Sequence, residues 1–233
     1  HGFVSLGTSG VILASSDIYK TNAASAVHTF CHAVPNRWFQ MSVILSAKDG
    51  LNWLSRIAGY NLATFTSSSD ENFKASSQVC FLPNLSGERT PHNDATIRFT
   101  FISLGIDSGI SDLTQAVIEG VTLGLREGAE ALKSTGTTSD KLFVVGCGSG
   151  SKYLLKLLTI VLDTPLLLPT SAECDLALDA ARPCLLAPTG KEVSKVVIPP
   201  ASADVTEPDP TKIYRYHKAY QTSWEKYPNI RKI

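Results

Sequence analysis

Short apolar runs separated by small polar residues dominate the first 45 residues of the chain. Residues 3–6 and 11–13 are largely apolar and flank the segment GTSG (residues 7–10), and two more β-prone runs cover residues 26–34 and 37–43. Small residues between two apolar runs are typical of a β-hairpin. The pattern therefore predicts an antiparallel β-meander at the start of the chain.

Further along the chain, the short apolar runs give way to apolar residues with a helical period. Apolar residues recur every three or four positions in several segments, which indicates amphipathic helices. Helices are predicted at residues 42–60, 112–133, 152–162 and 211–227, and strands at residues 79–83, 97–106, 142–145 and 166–168. A meander followed by alternating strands and helices predicts an α/β domain with a mixed sheet and flanking helices.

Single residues predict details of the longest helix. Asp112 stands at its start and is expected to act as its N-cap. Gly120, Gly124 and Gly128 follow at a spacing of four residues, which places them on one face of the helix. Because glycine has no side chain, that face is expected to pack very closely against another segment.

Other segments are expected to interrupt the regular elements. Residues 61–77 are rich in Ser, Thr and Asn, which predicts a surface excursion. A further helical pattern at residues 175–186 contains Pro183, which would end or kink that helix. Residues 188–210 contain repeated prolines and are predicted to be a spacer without regular structure.

Composition excludes several classes of function. Lys+Arg and Asp+Glu both number 21 among the 233 residues, so no net charge would attract nucleic acid or an anionic membrane. No apolar run reaches the roughly 18 residues that span a bilayer, and no signal-peptide pattern is present. The five cysteines lack CxxC spacing and indicate neither a disulfide framework nor a zinc site. We expect a cytoplasmic protein that binds neither nucleic acid nor membranes.

Two glycine-rich turns at the ends of predicted strands are candidate ligand sites. Gly7, Thr8 and Ser9 offer amide and hydroxyl donors that could bind a phosphate. The alternative is an ordinary hairpin, in which the hydroxyl groups bond only to their own turn. The segment GCGSGS (residues 146–151) joins a predicted strand to a helix and matches neither a P-loop nor a GxGxxG motif. Its alternative role is a helix start that needs small residues for packing.

A short polar loop is a third candidate. SGERTPH (residues 86–92) combines an acid, a base, a hydroxyl and an imidazole. We consider two interpretations: a loop close to a substrate or to another domain, and a solvated loop with a charge cluster at Glu88 and Arg89.

Other titratable residues give weaker signals. His28 and His32 share one face of a predicted strand, but no carboxylate at a complementary spacing accompanies them, so a metal site is not indicated. Asp49 and Glu119 fall in predicted helices, where such residues more often cap the helix or lie on its surface than catalyse a reaction.

Three of these segments carry a resemblance to a known family. They are SLGTSG (residues 5–10), AVHTFCHA (residues 26–33) and FLPNLSGERTPHN (residues 81–93). Together they resemble the C-terminal domain of the xylulokinases, which belong to a group of sugar kinases with ribulokinase, gluconokinase and glycerol kinase. The resemblance extends to about residue 187. Its glycine turns are shared by the wider group, whereas the other two segments are specific to the xylulokinase branch.

The resemblance implies an actin-like, ribonuclease H-like domain that binds ATP with Mg²⁺. Residues 1–188 would form this nucleotide-binding domain, and residues 189–233 would add a Pro-rich spacer and a terminal helix to the same domain. The domain would close against an N-terminal sugar-binding domain of the same enzyme. The implied reaction transfers the γ-phosphoryl group of ATP to D-xylulose, and a homodimer is a further expectation.

The resemblance also implies the residues that bind ATP. Gly7, Thr8 and Ser9 correspond to the element at the β- and γ-phosphates. The nucleoside would be lined by residues of the second turn, namely Gly146, Cys147, Gly148 and Ser151. The segment at residues 45–48, which ends in Lys48, would pack beside the nucleoside.

No catalytic residue and no metal ligand is expected within this chain. In the family the base is an Asp in a glycine-rich segment shortly before the first hairpin, and this sequence begins after that position with His1-Gly2. We therefore interpret the chain as a piece of a longer kinase that would be inactive alone.

Several positions depart from the family pattern. Cys147 replaces a glycine, Asp179 and Pro183 interrupt a helix that is continuous in relatives, and the segment between Gly105 and Asp112 is about two residues shorter. These departures keep two alternatives open. The first is a related kinase for another polyol or sugar acid, and the second is a non-catalytic nucleotide-binding or interaction module.

Overall fold

The computed structural model describes residues 2–59, 76–170, 192–196 and 201–230. Most of the predicted excursion at residues 61–77 falls outside these ranges. The predicted helix at residues 175–186, with Asp179 and Pro183, falls outside them as well.

Nine strands and five helices make up the regular structure of the described residues. The strands are β1 (Gly2–Leu6), β2 (Gly10–Ser16), β3 (His28–Cys31), β4 (Trp38–Ile44), β5 (Cys80–Leu82), β6 (Thr100–Ile102), β7 (Leu142–Val145), β8 (Leu166–Pro169) and β9 (Ser202–Thr206). The helices are α1 (Lys48–Ala58), α2 (Ile110–Ser134), α3 (Lys152–Leu162), α4 (Val193–Val196) and α5 (Pro210–Ile230).

Seven of the strands form one mixed sheet in the order β3-β4-β2-β1-β7-β8-β9, which confirms the predicted fold class. The pairs β1–β2, β2–β4 and β3–β4 are antiparallel, whereas β1–β7 and β7–β8 are parallel. The antiparallel part does not follow chain order, because β4 lies between β2 and β3. Strands β5 and β6 form a separate two-stranded sheet.

Helix α2 packs at the centre of the domain and is buried continuously from Thr114 to Gly128. The predicted glycine face accounts for its close packing. A Cβ atom on Gly120 would lie 2.2 Å from the carbonyl oxygen of Phe81, and one on Gly128 would lie 2.6 Å from Ser42 Oγ. Only glycine lets α2 approach β5 and β4 to this distance.

Apolar side chains on both sides of α2 form the core. One cluster fills the space between the sheet and helices α2 and α3, with Val4, Leu6, Ile12, Ile44, Val121, Leu125, Val144, Leu158 and Leu162 among its members. A second cluster joins α2, α3 and α5 and includes Ile118, Tyr153, Leu157 and Tyr216. Burial of these faces fixes the sheet relative to the helices, and therefore fixes the strand ends that carry the two glycine turns.

The structure corrects three predictions of element boundaries. Helix α1 begins at Lys48 rather than at residue 42, because the β4 alternation continues through Ile44. Asp112 is not the N-cap of α2: Gly109 is, and Asp112 Oδ2 accepts a hydrogen bond of 2.9 Å from the Gly109 amide. The predicted spacer at residues 188–210 contains β9, which pairs with β8 at the edge of the sheet.

Candidate functional site

The two glycine turns lie side by side at one edge of the sheet. Ser5 of β1 is in parallel register with Val145 of β7, so both strands end at the same edge and each is followed by its turn. A Cβ atom on Gly146 would lie 2.8 Å from the carbonyl oxygen of Leu6, and one on Gly148 would lie 2.6 Å from Leu6 Cβ. The structure thus brings together the two sets of residues that were predicted separately.

The first turn, residues 7–9, is shorter than the sequence suggested, because Gly10 belongs to β2 and pairs with Leu6. Neither Gly7 nor Gly10 has a positive φ. Gly10 is a packing residue, since a Cβ there would lie 2.8 Å from Ile44 Cγ1. At Gly7 the nearest atom to such a Cβ is the carbonyl oxygen of Ser9, at 3.7 Å.

Two hydroxyl groups of the first turn remain available for a ligand. The Gly7 amide donates to the carbonyl oxygen of Ser9 at 3.1 Å. The hydroxyl groups of Thr8 and Ser9 form no hydrogen bond with the described part of the chain, and Thr8 is exposed. Both hydroxyls can therefore donate to an anion that approaches this edge of the sheet.

The segment at residues 45–48 packs against the first turn. The amide of Ala47 donates to the carbonyl oxygen of Thr8 at 2.9 Å, and the amide of Lys48 donates to that of Gly7 at 3.2 Å. Lys48 is the first residue of α1 and its side chain is exposed. These contacts place Lys48 beside the candidate phosphate turn, and they show that its main chain helps to hold that turn.

The second turn is a short 3₁₀ turn, Cys147–Gly150, that leads into α3. Gly146 precedes it with a φ of 93°, and its carbonyl oxygen accepts from the Ser149 amide at 3.0 Å and the Ser149 hydroxyl at 2.7 Å. Ser151 is the N-cap of α3, because its Oγ accepts a hydrogen bond of 3.2 Å from the Leu154 amide. The N-terminus of α3, where a helix carries a partial positive charge, therefore lies at the same edge of the sheet as the turns.

The polar loop at residues 84–94 is packed into the domain rather than solvated. Glu88 is 5% exposed, whereas Arg89 is exposed, so the interpretation of a solvated Glu88–Arg89 cluster is wrong. The Glu88 carboxylate accepts hydrogen bonds from the Arg89 amide at 2.7 Å and from Asn84 Nδ2 at 2.8 Å. Burial, and then the charge of Glu127, raise the pKa of Glu88 to about 8.

His92, at the end of the SGERTPH motif, joins this loop to two helices. Its Nε2 lies 3.0 Å from Glu127 Oε2 of α2. Its ring stacks on that of Tyr227 in α5, with the ring centroids 3.4 Å apart. The composition of the motif gave no indication of these contacts, because they depend on residues that are far away in the sequence.

Glu119 is a second buried carboxylate, contrary to the expectation of a surface position. It accepts hydrogen bonds from Gln115 Nε2 at 2.9 Å, the Ser77 amide at 2.9 Å and the Tyr216 hydroxyl at 3.2 Å. Burial raises the pKa of Glu119 above its usual range. It borders a groove of about 560 Å³ between α2 and α5, and none of the predicted site residues lines that groove.

His28 and His32, which were predicted on one face of a strand, are not brought to a common metal site. The ring of His28 stacks on that of Phe30, and His32 Nδ1 accepts a hydrogen bond of 2.9 Å from the Val34 amide. Within the described ranges, no group of three His, Cys, Asp or Glu residues is arranged to hold a metal ion. No helix in those ranges is both long enough and apolar enough to cross a membrane.

Comparison with known proteins adds a family to this geometry. Residues 2–177 match the C-terminal domain of the FGGY family of carbohydrate kinases. The chain is 37% identical over 183 residues to the xylulose kinase of Escherichia coli (strain K12), and the alignment covers 78% of this chain and 38% of that protein.

Solved structures agree with this match. A xyloylose kinase from Brucella ovis has a TM-score of 0.94 and 44% identity, and the match covers 99% of this chain and 49% of that chain. A ligand-bound xylulose kinase from Lactobacillus acidophilus has a TM-score of 0.88 and 22% identity, with coverage of 99% and 47%, which shows a shared fold. The chain therefore spans half or less of the length of these relatives.

Proposed function

This chain belongs to the FGGY family of carbohydrate kinases, and we propose that it forms the ATP-binding half of an enzyme that phosphorylates D-xylulose to D-xylulose 5-phosphate. One observation carries the proposal: two glycine turns lie side by side at the carboxyl ends of the adjacent parallel strands β1 and β7. Ligands of open α/β sheets bind at such strand ends. The choice of sugar rests on the relatives that are named xylulose kinases.

In this proposal the first turn binds the β- and γ-phosphates. The hydroxyls and main-chain amides of Thr8 and Ser9 donate to phosphate oxygens. Gly7 leaves room for the phosphates to approach the main chain, because its Cα carries no side chain. The protein leaves this space free, since a Cβ atom there would lie 3.7 Å from the nearest atom. Lys48 supplies a positive charge beside the turn.

The second turn binds the nucleoside in this proposal. Gly146, Cys147 and Gly148 present main-chain groups to it, and Ser151 fixes the start of α3. Mg²⁺ would enter bound to the phosphate oxygens of ATP, since this ion is commonly held by substrate phosphates, one or two carboxylates and water.

The chemical step requires groups that we assign to an N-terminal sugar-binding domain. The 5-hydroxyl oxygen of the sugar attacks the γ-phosphorus, a carboxylate of that domain accepts the hydroxyl proton, and ADP leaves. The residues of this chain hold the donor and stabilise its charge, which is the main contribution that proteins make to phosphoryl transfer. We propose a cytoplasmic location, where both ATP and the sugar are available, and a homodimer stays a prediction.

Calorimetry on the 233-residue chain tests the ATP site directly. Titration with ATP in the presence of Mg²⁺ is expected to show one site, while a titration with xylulose alone is expected to show none. Absence of nucleotide binding would contradict the assignment of the two turns.

The substrate is tested on the product of the complete reading frame that contains this chain. Release of ADP is expected with xylulose and not with glycerol, gluconate or ribulose at equal concentrations. A preference for one of the other three would keep the kinase and change its sugar. The isolated chain, assayed alongside, is expected to show no turnover.

A further inference from the structure

The loop at residues 84–94 is fixed to the strand that leads into the candidate phosphate site. The amide of Thr90 donates to the carbonyl oxygen of Val43 at 3.0 Å, and the amide of Val43 donates to Thr90 Oγ1 at 3.1 Å. Thr90 is fully buried. We call residues 84–94 the supporting loop, because this contact fixes it beside the end of β4.

The backbone of the supporting loop directs Glu88 inward. Gly87 has a φ of 87°, and a Cβ there would lie 2.9 Å from the carbonyl oxygen of Ala95. Glu88 and Asp94 exchange main-chain hydrogen bonds of 2.7 and 2.9 Å, which close the loop behind Glu88. The side chain of Glu88 therefore has a defined position, from which it turns away from solvent.

From this position Glu88 holds the part of the loop that bonds the end of β4. Its hydrogen bonds to Asn84 Nδ2 and the Arg89 amide fix the main chain immediately before Thr90, the residue that bonds Val43. Ala47 and Lys48 follow Val43 by four and five residues, and their amides bond the carbonyl oxygens of the first turn. The supporting loop is thus linked to the turn through the end of β4 and residues 45–48.

We propose that Glu88 is a positioning residue: its buried carboxyl group fixes the supporting loop against the end of β4, and thereby sets the position of residues 45–48 and of the first turn. Glu127 of α2 is the charged group that faces it, and His92 binds Glu127 on the other side. The effect of Glu88 on ATP affinity rests on the proposed function. Its effect on the geometry of residues 45–48 does not.

Amide hydrogen exchange of the 233-residue chain without nucleotide tests the geometry. Glu88→Asp keeps the carboxyl group but shortens the side chain by one methylene, so that it cannot bond both Asn84 and the Arg89 amide. We expect exchange at the amides of Ala47 and Lys48 to accelerate about tenfold, because the weakened loop no longer holds the end of β4 and the residues that follow it. Glu88→Gln keeps the length and the acceptor oxygen, and is expected to exchange within about twofold of the wild type.

Glu119→Asp is the matched control, because it shortens a carboxylate that is equally buried but contacts α5 instead of the supporting loop. It is expected to leave exchange at Ala47 and Lys48 unchanged. Three results would overturn the proposal: unchanged exchange in Glu88→Asp, equal acceleration in Glu119→Asp, or failure of Glu88→Gln to preserve protection. Unfolding of Glu88→Asp while Glu119→Asp stays folded would also overturn it, because a local positioning role does not predict loss of the fold.

Titration with ATP and Mg²⁺ then links the geometry to the site. Glu88→Asp is expected to weaken binding about tenfold, while Glu88→Gln and Glu119→Asp bind within about twofold of the wild type. If the wild type binds no nucleotide, the proposed function fails, and the exchange experiment still decides whether Glu88 positions residues 45–48. Normal affinity in Glu88→Asp with accelerated exchange would confine its role to the main chain and overturn its link to ATP.

Discussion

The two glycine turns at the ends of β1 and β7 use glycine for different reasons. Gly146 has a φ of 93° and a ψ of 172°, a conformation that is essentially restricted to glycine, and the backbone of Leu6 leaves no room for a Cβ. Gly7 has no positive φ, and a Cβ there would make only ordinary contact with the protein. The fold requires glycine at the second turn but not at the first.

This difference distinguishes a glycine that the fold requires from a glycine that leaves room for a ligand. Glycine at a position with strained backbone or crowded neighbours is explained by the protein itself. At Gly7 neither condition holds, so the protein itself does not explain the glycine. A phosphate that approaches through the free space in front of the turn would explain it. Substitutions at the two turns should therefore affect different properties of the molecule.

Gly146→Ala should produce the largest effect. The substitution combines an unfavourable φ with a contact of 2.8 Å to the carbonyl oxygen of Leu6. Backbone strain and overpacking together should lower the free energy of unfolding by about 5 kcal/mol. Urea unfolding followed by circular dichroism measures this loss. Gly150→Ala is the control in the same turn, where a Cβ meets nothing within 4 Å; an equal loss there would refute the steric explanation.

The free energy of unfolding should depend on pH through Glu88, the residue that positions the first turn. The pKa of Glu88 is raised from 4.5 to about 8 in the fold. Between these values the folded protein keeps a proton that the unfolded chain releases, so stability falls as pH rises from 4.5 to 8. Relative to Glu88→Gln, which does not titrate, the wild type should lose about 4 kcal/mol across this range.

Urea unfolding at pH 5, 7 and 9 in both proteins measures the difference. All other titratable groups are the same in the two proteins, so their contributions cancel in the comparison. A constant difference between the two proteins from pH 5 to pH 9 would show that the carboxyl group of Glu88 ionises normally in the fold.

Local signals in the sequence were sufficient for the second turn. The apolar helical period predicted the helix at residues 152–162, and the structure has α3 at Lys152–Leu162, with Ser151 as its cap. The strand before it was also predicted at its observed limits. Caps and periodicity act within a few residues, which explains why these elements can be predicted from the sequence alone.

Non-local contacts explain what the sequence did not reveal. β9 is a strand because β8 offers it an edge, although its own segment contains prolines. Residues 42–44 fit both a strand and a helix period, and contact of Ser42 and Ile44 with α2 decides for the strand. The burial of Glu88 depends on the packing of its loop against β4, which is far away in the sequence. Composition alone therefore allowed the interpretation of a solvated charge.

Gly7→Ala should separate binding from stability. Because the new methyl group meets only the carbonyl oxygen of Ser9 at 3.7 Å, the free energy of unfolding should change by less than about 1 kcal/mol. The same methyl group occupies the space that we assign to the phosphates, and the affinity for ATP with Mg²⁺ should fall at least about tenfold, or about 1.4 kcal/mol. Calorimetry and urea unfolding of one preparation measure both quantities. Normal affinity in this variant would remove the first turn from the ATP site.

Lys48→Met should have the smallest effect, and salt should control it. The side chain of Lys48 is exposed, so its attraction for a phosphate acts through water and contributes at most about 1 kcal/mol, or about fivefold in affinity. Lys141→Met is the matched control, because this exposed lysine precedes β7 at the opposite edge of the sheet. Titrations at about 0.05 M and 1 M salt should show a weaker affinity for Lys48→Met only at the lower concentration, since the Debye length falls to about 3 Å at 1 M. A loss that persists at 1 M would mean that Lys48 contacts the nucleotide directly, while equal losses in both variants would assign the effect to the overall charge of the chain.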